Sequence, residues 1–395
     1  MLMSDFAVVT RPSFPSCAVR AVVAAGAAAF LLRTPPPVAA QAVGVIPDGG
    51  ECTTCRIRTA LWATLRPASG DQEIIRTPSS IATTRSRAIV VARGGDGPPL
   101  VFDSTGELRR VLSKQGSGPG EFESTDLVVA DGSDTVLFLD RRLQRLSFFG
   151  PDWRYLRSAP MPDGVSSIAV VTPGQIVAAA EFHDAARFGH PYHLLDRTGN
   201  YVRSFGAPSG PILPGVTLPL GRLVTPAQGG GFWAIPVHGE YRLEKWSANG
   251  TLRESITRRA PWFPRTPSPR FGFTRDGDTP SPQVISLVED ASGLIWVAIR
   301  VVDRNWPSGV RWTPAGRGES SMRPTIEDRS RAFDIIIEAV DVRRRRVAAS
   351  LRLDDAWIQF VAPGRYFRVH EDQGGLLQVE LYTIRLDYEG RQDRH

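Results

Sequence analysis

Apolar and polar positions alternate along this chain in short runs, each closed by a turn signal. No amphipathic 3.6-residue period of convincing length follows about Val43. The clearest unit lies between Leu100 and Phe122, LVFDSTGELRRVLSKQGSGPGEF. An apolar run ends in Asp, a Gly turn follows, a second strand-like run comes next, and a Gly-rich link closes the unit. Weaker copies recur down the rest of the sequence, and copies of one supersecondary unit predict one repeated architecture.

Period-2 runs between turn signals fall into sets of four strands. The first set is read near Ile81, Ala88–Ala92, Leu100–Phe102 and Leu108–Leu112. The second is Leu127–Val129, Val136–Leu139, Leu143–Phe149 and Trp153–Arg157. The third is Ser167–Val171, Gln175–Ala180, Tyr192–Leu195 and Tyr201–Phe205. The fourth is Arg222–Val224, Gly231–Pro236, Arg242–Trp246 and Leu252–Ile256. The fifth is Val284–Val288, Leu294–Val301, Phe333–Val340 and Val347–Leu353. The sixth has only three strands, Trp357–Val361, Tyr366–His370 and Leu377–Leu386. Its fourth is predicted from the other end of the chain, in Arg56–Leu65. Pairing head with tail would remove an open sheet edge. The predicted fold is therefore all-β: a six-bladed β-propeller of four-stranded blades, the N-terminal strand completing the C-terminal blade.

In the link GSGPGEF, Gly116, Gly118 and Gly120 permit positive φ and Pro119 fixes one dihedral, so the chain can turn sharply into the next blade. Phe122 is expected to pack between blades. A phosphate-cradling loop also uses glycines but needs a helix after it, and here a strand follows.

These features resemble NHL-type six-bladed propellers, in particular a group of secreted bacterial six-bladed propeller proteins. In that group a CxxC precedes the first strand, here Cys52 and Cys55. A GxGPGEF link, here Gly116 to Phe122, follows an Asp-x-x-Gly hairpin, here Asp103 and Gly106. The resemblance spans the region after the leader and implies the fold; it is nearly silent on activity.

The first forty residues differ from the rest. Arg11 and Arg20 precede the apolar run Ala21–Leu32, and a small-residue stretch follows, PPPVAAQA. About a dozen apolar residues are too few to span a bilayer and fit a signal peptide, with cleavage expected near Ala40 or Ala42. The expected organisation is 1–42 signal peptide and flank, 43–55 an N-terminal segment with the CxxC, 56–390 the propeller, and 391–395 a polar tail. A secreted or periplasmic location follows, with no membrane association after cleavage. In that oxidising setting Cys52 and Cys55 are expected to form a disulfide.

Gly 37 and Pro 32 suit short strands and tight turns. The net charge is +6, and the leader carries +2 of it through Arg11, Arg20 and Arg33 against Asp5. Lys114 and Lys245 are the only lysines, and the one dense cluster, Arg343–Arg346, sits where a hairpin turn is predicted. No nucleic-acid partner is expected, since such a surface would need interleaved aromatics and a second basic strip.

Candidate chemistry gathers where the chain departs from the repeat. Turns after first and third strands are short, whereas the long connections 182–191, 206–221, 260–282 and 303–332 all follow a second or fourth strand. Strand alternation then puts them on one face, the usual place for recognition on a rigid scaffold. The ligand-binding candidates there are Trp262, Phe271, Arg275, Trp306, Trp312, Arg187, His183 and His190. Aromatics mixed with Arg suit a protein, peptide or glycan partner. The competing reading is that these rings staple the loops down as small satellite cores. No catalytic set and no metal site is predicted, because HPYH lacks the i, i+4 helical register of a zinc hydrolase and no G-x-S-x-G elbow occurs. No cofactor is expected; a divalent cation is compatible with Asp276 and Asp278 without being predicted. The leading expectation is an exported, non-enzymatic binding scaffold that uses its long-loop face. The alternative is a metal-dependent hydrolase or lyase with a cation in the central channel, of the gluconolactonase-like or amidating-lyase-like kind.

Overall fold

The middle strands of this protein are apolar at nearly every position because each packs against a neighbouring blade on both of its faces. The structure, a computed structural model, describes residues 42–49, 52–66, 78–161, 164–172, 174–182, 187–206, 221–263, 279–314, 322–371 and 377–388. Two strands come first, β1 (Ala42–Ile46) and β2 (Cys55–Thr64). Blade 1 holds β3 (Ser80–Thr83), β4 (Ile89–Ala92), β5 (Leu100–Phe102) and β6 (Leu108–Val111). Blade 2 holds β7 (Leu127–Ala130), β8 (Val136–Asp140), β9 (Arg145–Phe149) and β10 (Tyr155–Pro160). Blade 3 holds β11 (Val165–Thr172), β12 (Gln175–Ala180), β13 (Tyr192–Asp196) and β14 (Tyr201–Phe205). Blade 4 holds β15 (Arg222–Pro226), β16 (Phe232–Pro236), β17 (Arg242–Trp246) and β18 (Leu252–Arg258).

Blade 5 begins with β19 (Gln283–Glu289) and β20 (Ile295–Val302). An excursion follows, made of α1 (Trp306–Gly309), a hairpin of β21 (Val310–Pro314) and β22 (Met322–Ile326), and α2 (Arg329–Ala332). The blade then resumes with β23 (Phe333–Asp341) and β24 (Arg346–Leu353). Blade 6 is β25 (Ile358–Ala362), β26 (Arg365–Glu371) and β27 (Leu377–Tyr388), with β2 as its outer strand. The inner strands adjoin one another in the order β3, β7, β11, β15, β19, β25 and back to β3. The ring is a six-bladed β-propeller, as the repeat predicts.

Its core is divided into six apolar clusters, one at each interface between blades. In β12, Ile176, Ala178 and Ala180 enter the cluster shared with blade 2, while Val177 and Ala179 enter the one shared with blade 4. Both faces are therefore buried, and β4, β8 and β16 are buried along their full lengths. The link after blade 1 behaves as predicted at its ends. Gly116 and Gly120 have positive φ, and a Cβ on Gly120 would meet Tyr155 at 2.9 Å. Phe122 is 1% exposed, with its ring 5.3 Å from Phe138 and 5.7 Å from Phe149 at the interface of blades 1 and 2. Gly118 differs, with no positive φ; its N–H donates to Glu121 Oε2 at 2.9 Å.

The recurrent Asp before Gly has a shared local cause. In the turns at Asp103, Asp131, Asp196 and Asp290, one carboxylate oxygen accepts hydrogen bonds from the backbone N–H groups two and four residues on. The turn is thereby closed from the side chain.

Ring closure is made by β2 against β27, antiparallel from Cys55↔Tyr388 to Thr64↔Glu380, with Leu61 opposite Tyr382. Leu65 N–H extends the ladder to the Val379 carbonyl at 2.9 Å. Cys52 is joined in a disulfide to Cys55, the first residue of β2. One boundary of the sequence reading is corrected. Segment 43–55 was expected to lie outside the propeller, yet β1 adds to blade 4 as a fifth strand, parallel to β18 from Ala42↔Glu254 to Ile46↔Arg258. Ile46 is wholly buried in the cluster of blades 4 and 5, while Val43 is 71% exposed. The run AVGVI follows directly on the small residues of the leader with no turn signal between them, so it reads as flank.

An Ala63→Asp substitution places a carboxylate in the cluster of blades 6 and 1, where Ala63 is 5% exposed. It should lower unfolding stability by about 3 kcal/mol or more. Leu61→Asp, on the same strand but 55% exposed, should cost less than about 0.5 kcal/mol. Urea midpoints of the two variants check the closure.

Candidate functional site

Six inner strands set side by side leave an axial channel, and they form its wall. It is a cavity of about 540 Å³, and every inner strand contributes to its lining. Adjacent inner strands are stitched by side chains. Phe360 N–H donates to Ser286 Oγ at 2.8 Å, Gln359 Nε2 to Ser80 Oγ at 3.4 Å, and Val224 N–H to Ser167 Oγ at 3.2 Å. Half-buried Leu127, Val129, Val170 and Val361 add apolar surface to the lumen. The wall is neutral along most of its length. Its charged members, Arg85, Arg87, Asp131, Glu289 and Arg365, all lie at the end where first strands turn into second strands. That end is the short-turn face, opposite the four long connections.

Two buried ionic locks hold the blades around this channel. Between blades 3 and 4, Glu244 Oε2 accepts from Tyr192 Oη at 2.9 Å, Arg222 Nη1 at 3.1 Å and Trp246 Nε1 at 3.1 Å. Burial, together with the Glu244 charge, raises the Tyr192 phenol far above its usual range, so it stays a donor. Between blades 4 and 5, Arg258 Nη2 meets Glu338 Oε1 at 3.1 Å and Asp48 Oδ1 at 3.2 Å, and its Nη1 donates to the Pro47 carbonyl at 3.0 Å. Asp48 follows β1, so the lock also holds the N-terminal segment in place.

Five of the eight residues that the sequence singled out, Arg187, His190, Trp262, Trp306 and Trp312, lie among the described residues of the long-loop face. Trp306 is 3% exposed in a satellite cluster with Val310, Ala332 and Phe333, against which Trp312 packs half-buried. Trp262 packs half-buried on Tyr241 and Phe263. For Trp306 the burial agrees with the competing reading, a ring that staples its loop down. A short excursion with two one-turn helices needs apolar anchors on the blade, and Trp306, Val310 and Trp312 supply them. Arg187 lies over the Phe182 ring at 4.4 Å, and exposed His190 contacts the Gly206 carbonyl through Nδ1 at 3.0 Å. His193 is 1% exposed, between Ser204 Oγ and the Ala180 carbonyl. His183, Phe271 and Arg275 lie outside the described residues, as do Asp276 and Asp278. Among the described residues no group of three or more His, Cys, Asp or Glu converges as a metal site would require.

Sequence reasoning passed over His238, on the β16–β17 connection of the same face. Burial lowers its pKa to about 4; the Pro282 carbonyl opposes the shift and the charge of Arg300 adds to it. It also passed over the arginines of the short-turn mouth, because hairpin-turn arginines in an Arg-rich chain carry no distinguishing spacing.

No family model matches the chain, and no curated protein matches it. Solved structures do. A structure named as an exported protein of Bacteroides fragilis covers 87% of this chain and 99% of its own, at 8% identity and a TM-score of 0.53. A member of the DUF4221 family from Bacteroides vulgatus covers 84% of this chain and 99% of its own, at 8% identity and a TM-score of 0.54. At such identities the likeness shows the fold alone, in agreement with the six-bladed β-propeller described above. Among the described residues no helix is long and apolar enough to cross a membrane.

Two measurements follow. Glu338→Ala removes the buried carboxylate of Arg258 and leaves it only the exposed Asp48 as counter-charge, which should cost about 3 kcal/mol in urea denaturation, whereas Arg258→Met combined with Glu338→Leu should cost less. The pKa of His238 is depressed on folding, so the unfolded chain binds its proton first as pH falls from the ordinary 6.5 towards about 4. Wild type should therefore lose stability across that window, and His238→Gln should lose less, as read by unfolding at pH 7 and pH 4.

Proposed function

We propose that this chain is an exported, non-catalytic binding propeller whose ligand seat is the axial cavity. The observation that carries the reading is the cavity itself, about 540 Å³, lined mostly by aliphatic residues with serines, threonines and Gln359 among them and charged residues at one end. That size and that mixture of apolar wall with a few polar groups suit a small molecule or the end of a peptide or glycan chain. The four long connections at the opposite mouth supply the surface through which a protein, peptide or glycan would be gripped. Trp306 and Trp262 are spent on packing, so the rings of that face contribute less than their number suggests. Export is supported by the leader Ala21–Leu32, by the Cys52–Cys55 disulfide and by the exported name of a structural neighbour.

Narrowing the lumen tests the assignment. Val129 lines it half-buried, and Val129→Phe should obstruct it while the blades stay intact. Saturation-transfer NMR against a mixture of sugar acids, sugar phosphates and di- and tripeptides should show transfer to at least one solute with wild type. The transfer should be lost in Val129→Phe at an unchanged Tm. No transfer with wild type, or equal transfer in the narrowed variant, overturns the reading.

A further inference from the structure

The short-turn mouth of the channel gathers three arginines beside two carboxylates, Asp131 and Glu289, that form no direct ion pair with them among the described residues. Arg85 and Arg87 stand on the β3–β4 turn and Arg365 at the start of β26, and all three line the cavity. Each is held by the scaffold. The β3–β4 turn is pinned to blade 2, since Asp134 accepts the Arg85 and Ser86 N–H groups, the latter at 3.2 Å. Arg87, at φ 66°, donates its own N–H back to the Thr84 carbonyl at 3.0 Å. Arg365 follows Gly364, at φ 73°, and its guanidinium carbon lies 4.2 Å from the centre of the Trp62 ring.

No hydrogen bond of the Arg365 side chain is found among the described residues, and a guanidinium over a ring can still offer its N–H donors in the fork geometry that matches a carboxylate or phosphate. The acids at the mouth are committed elsewhere. Asp131 accepts Ser133 N–H at 2.7 Å and Thr135 N–H at 2.9 Å within its own turn, and Glu289 accepts Gln228 N–H at 2.6 Å. Among the described residues no ion pair joins Arg85, Arg87 or Arg365 to a carboxylate. Burial and the charge of Arg87 lower the proton affinity of Arg365, as expected where like charges meet without a counter-ion. Behind them the lumen offers the hydroxyls of Ser80, Ser167 and Ser286 and the amide of Gln359. A hydroxyl that already accepts one bond can still donate or accept another.

Resting on the axial cavity as ligand seat, we infer that the short-turn mouth is an oxyanion site. Arg87 and Arg365, with Arg85 beside them, take the carboxylate or phosphate of a small hydroxyl-bearing molecule whose neutral body sits in the lumen. The ligand class is a sugar acid or sugar phosphate, entering from the face opposite the long loops.

Isothermal titration calorimetry of the mature chain, with glucuronate, glucose 6-phosphate, inorganic phosphate and neutral glucose as probes, tests the site. At least one of the two sugar anions should bind more tightly than both glucose and inorganic phosphate. Its affinity should drop about tenfold in Arg87→Ala and again in Arg365→Ala, and should weaken with added salt. The Tm of each variant is measured alongside; Arg87 is exposed, so its replacement leaves the core untouched. Equal affinity for glucose and the sugar anions, or variants that bind as wild type does, overturns the inference. Anion binding that survives Val129→Phe but falls in Arg87→Ala upholds the oxyanion site and sinks the lumen as a seat. Solute binding lost in Val129→Phe yet indifferent to both arginine variants does the reverse.

Discussion

A propeller is a sheet assembly that must close on itself, and here closure is made by one antiparallel ladder between segments more than three hundred residues apart. Without β2, blade 6 would end on β27 with an unpaired edge, and the cluster of blades 6 and 1 would lose Ala63 and Leu65. The cost of bringing the chain ends together rises only slowly with loop length, so one long ladder can offset it. The same N-terminal segment also grips blade 4 through β1, with Arg258 bonded to the Pro47 carbonyl and to Asp48. Residues 42–64 thereby engage blades 4 and 6, and the ring is clasped twice.

Closure fixes the blades as rigid neighbours, and the packing between them determines what the axis can be. The interfaces consist of apolar clusters reinforced by locks such as Arg222–Glu244–Tyr192, whose buried charges are satisfied by one another. Near the axis the inner strands converge without pairing as a sheet, so serine and glutamine side chains bridge from one to the next. A neutral, polar-stitched lumen is the outcome. Among the described residues the charged groups that line it lie at one rim, where the short turns place arginines and acids beside the opening.

The two faces divide the work differently from what their loops suggest. The long connections hold most of the exposed-looking aromatics of the sequence, yet Trp306 builds a satellite core for its own excursion and Trp262 covers Tyr241. An apolar ring on a long loop must first keep that loop on the scaffold. The short-turn face, with almost no loop length, presents the arginines that remain unpaired, because tight turns hold them up and leave no nearby carboxylate uncommitted.

The strand sets, the six-fold count and the origin of the closing strand in Arg56–Leu65 were all legible in the chain, as was the position of Phe122 between blades. Alternation, Asp-Gly turns and a missing strand in the last set are local signals, set by backbone geometry that a few neighbouring residues determine. The strand Ala42–Ile46 was not legible, since five small residues gain their place only by pairing with Glu254–Arg258, far off in sequence. Nor were the burial of Trp306, the depressed His238 or the gathering of Arg85, Arg87 and Arg365 at one mouth. Which side chains share a mouth, and which acids are already committed to backbone N–H groups, depends on the ring bringing blades 6 and 1 together. The repeat and its closure follow from local patterning; the clasp on blade 4 and the charge around the axis arise from contacts between residues that no local pattern relates.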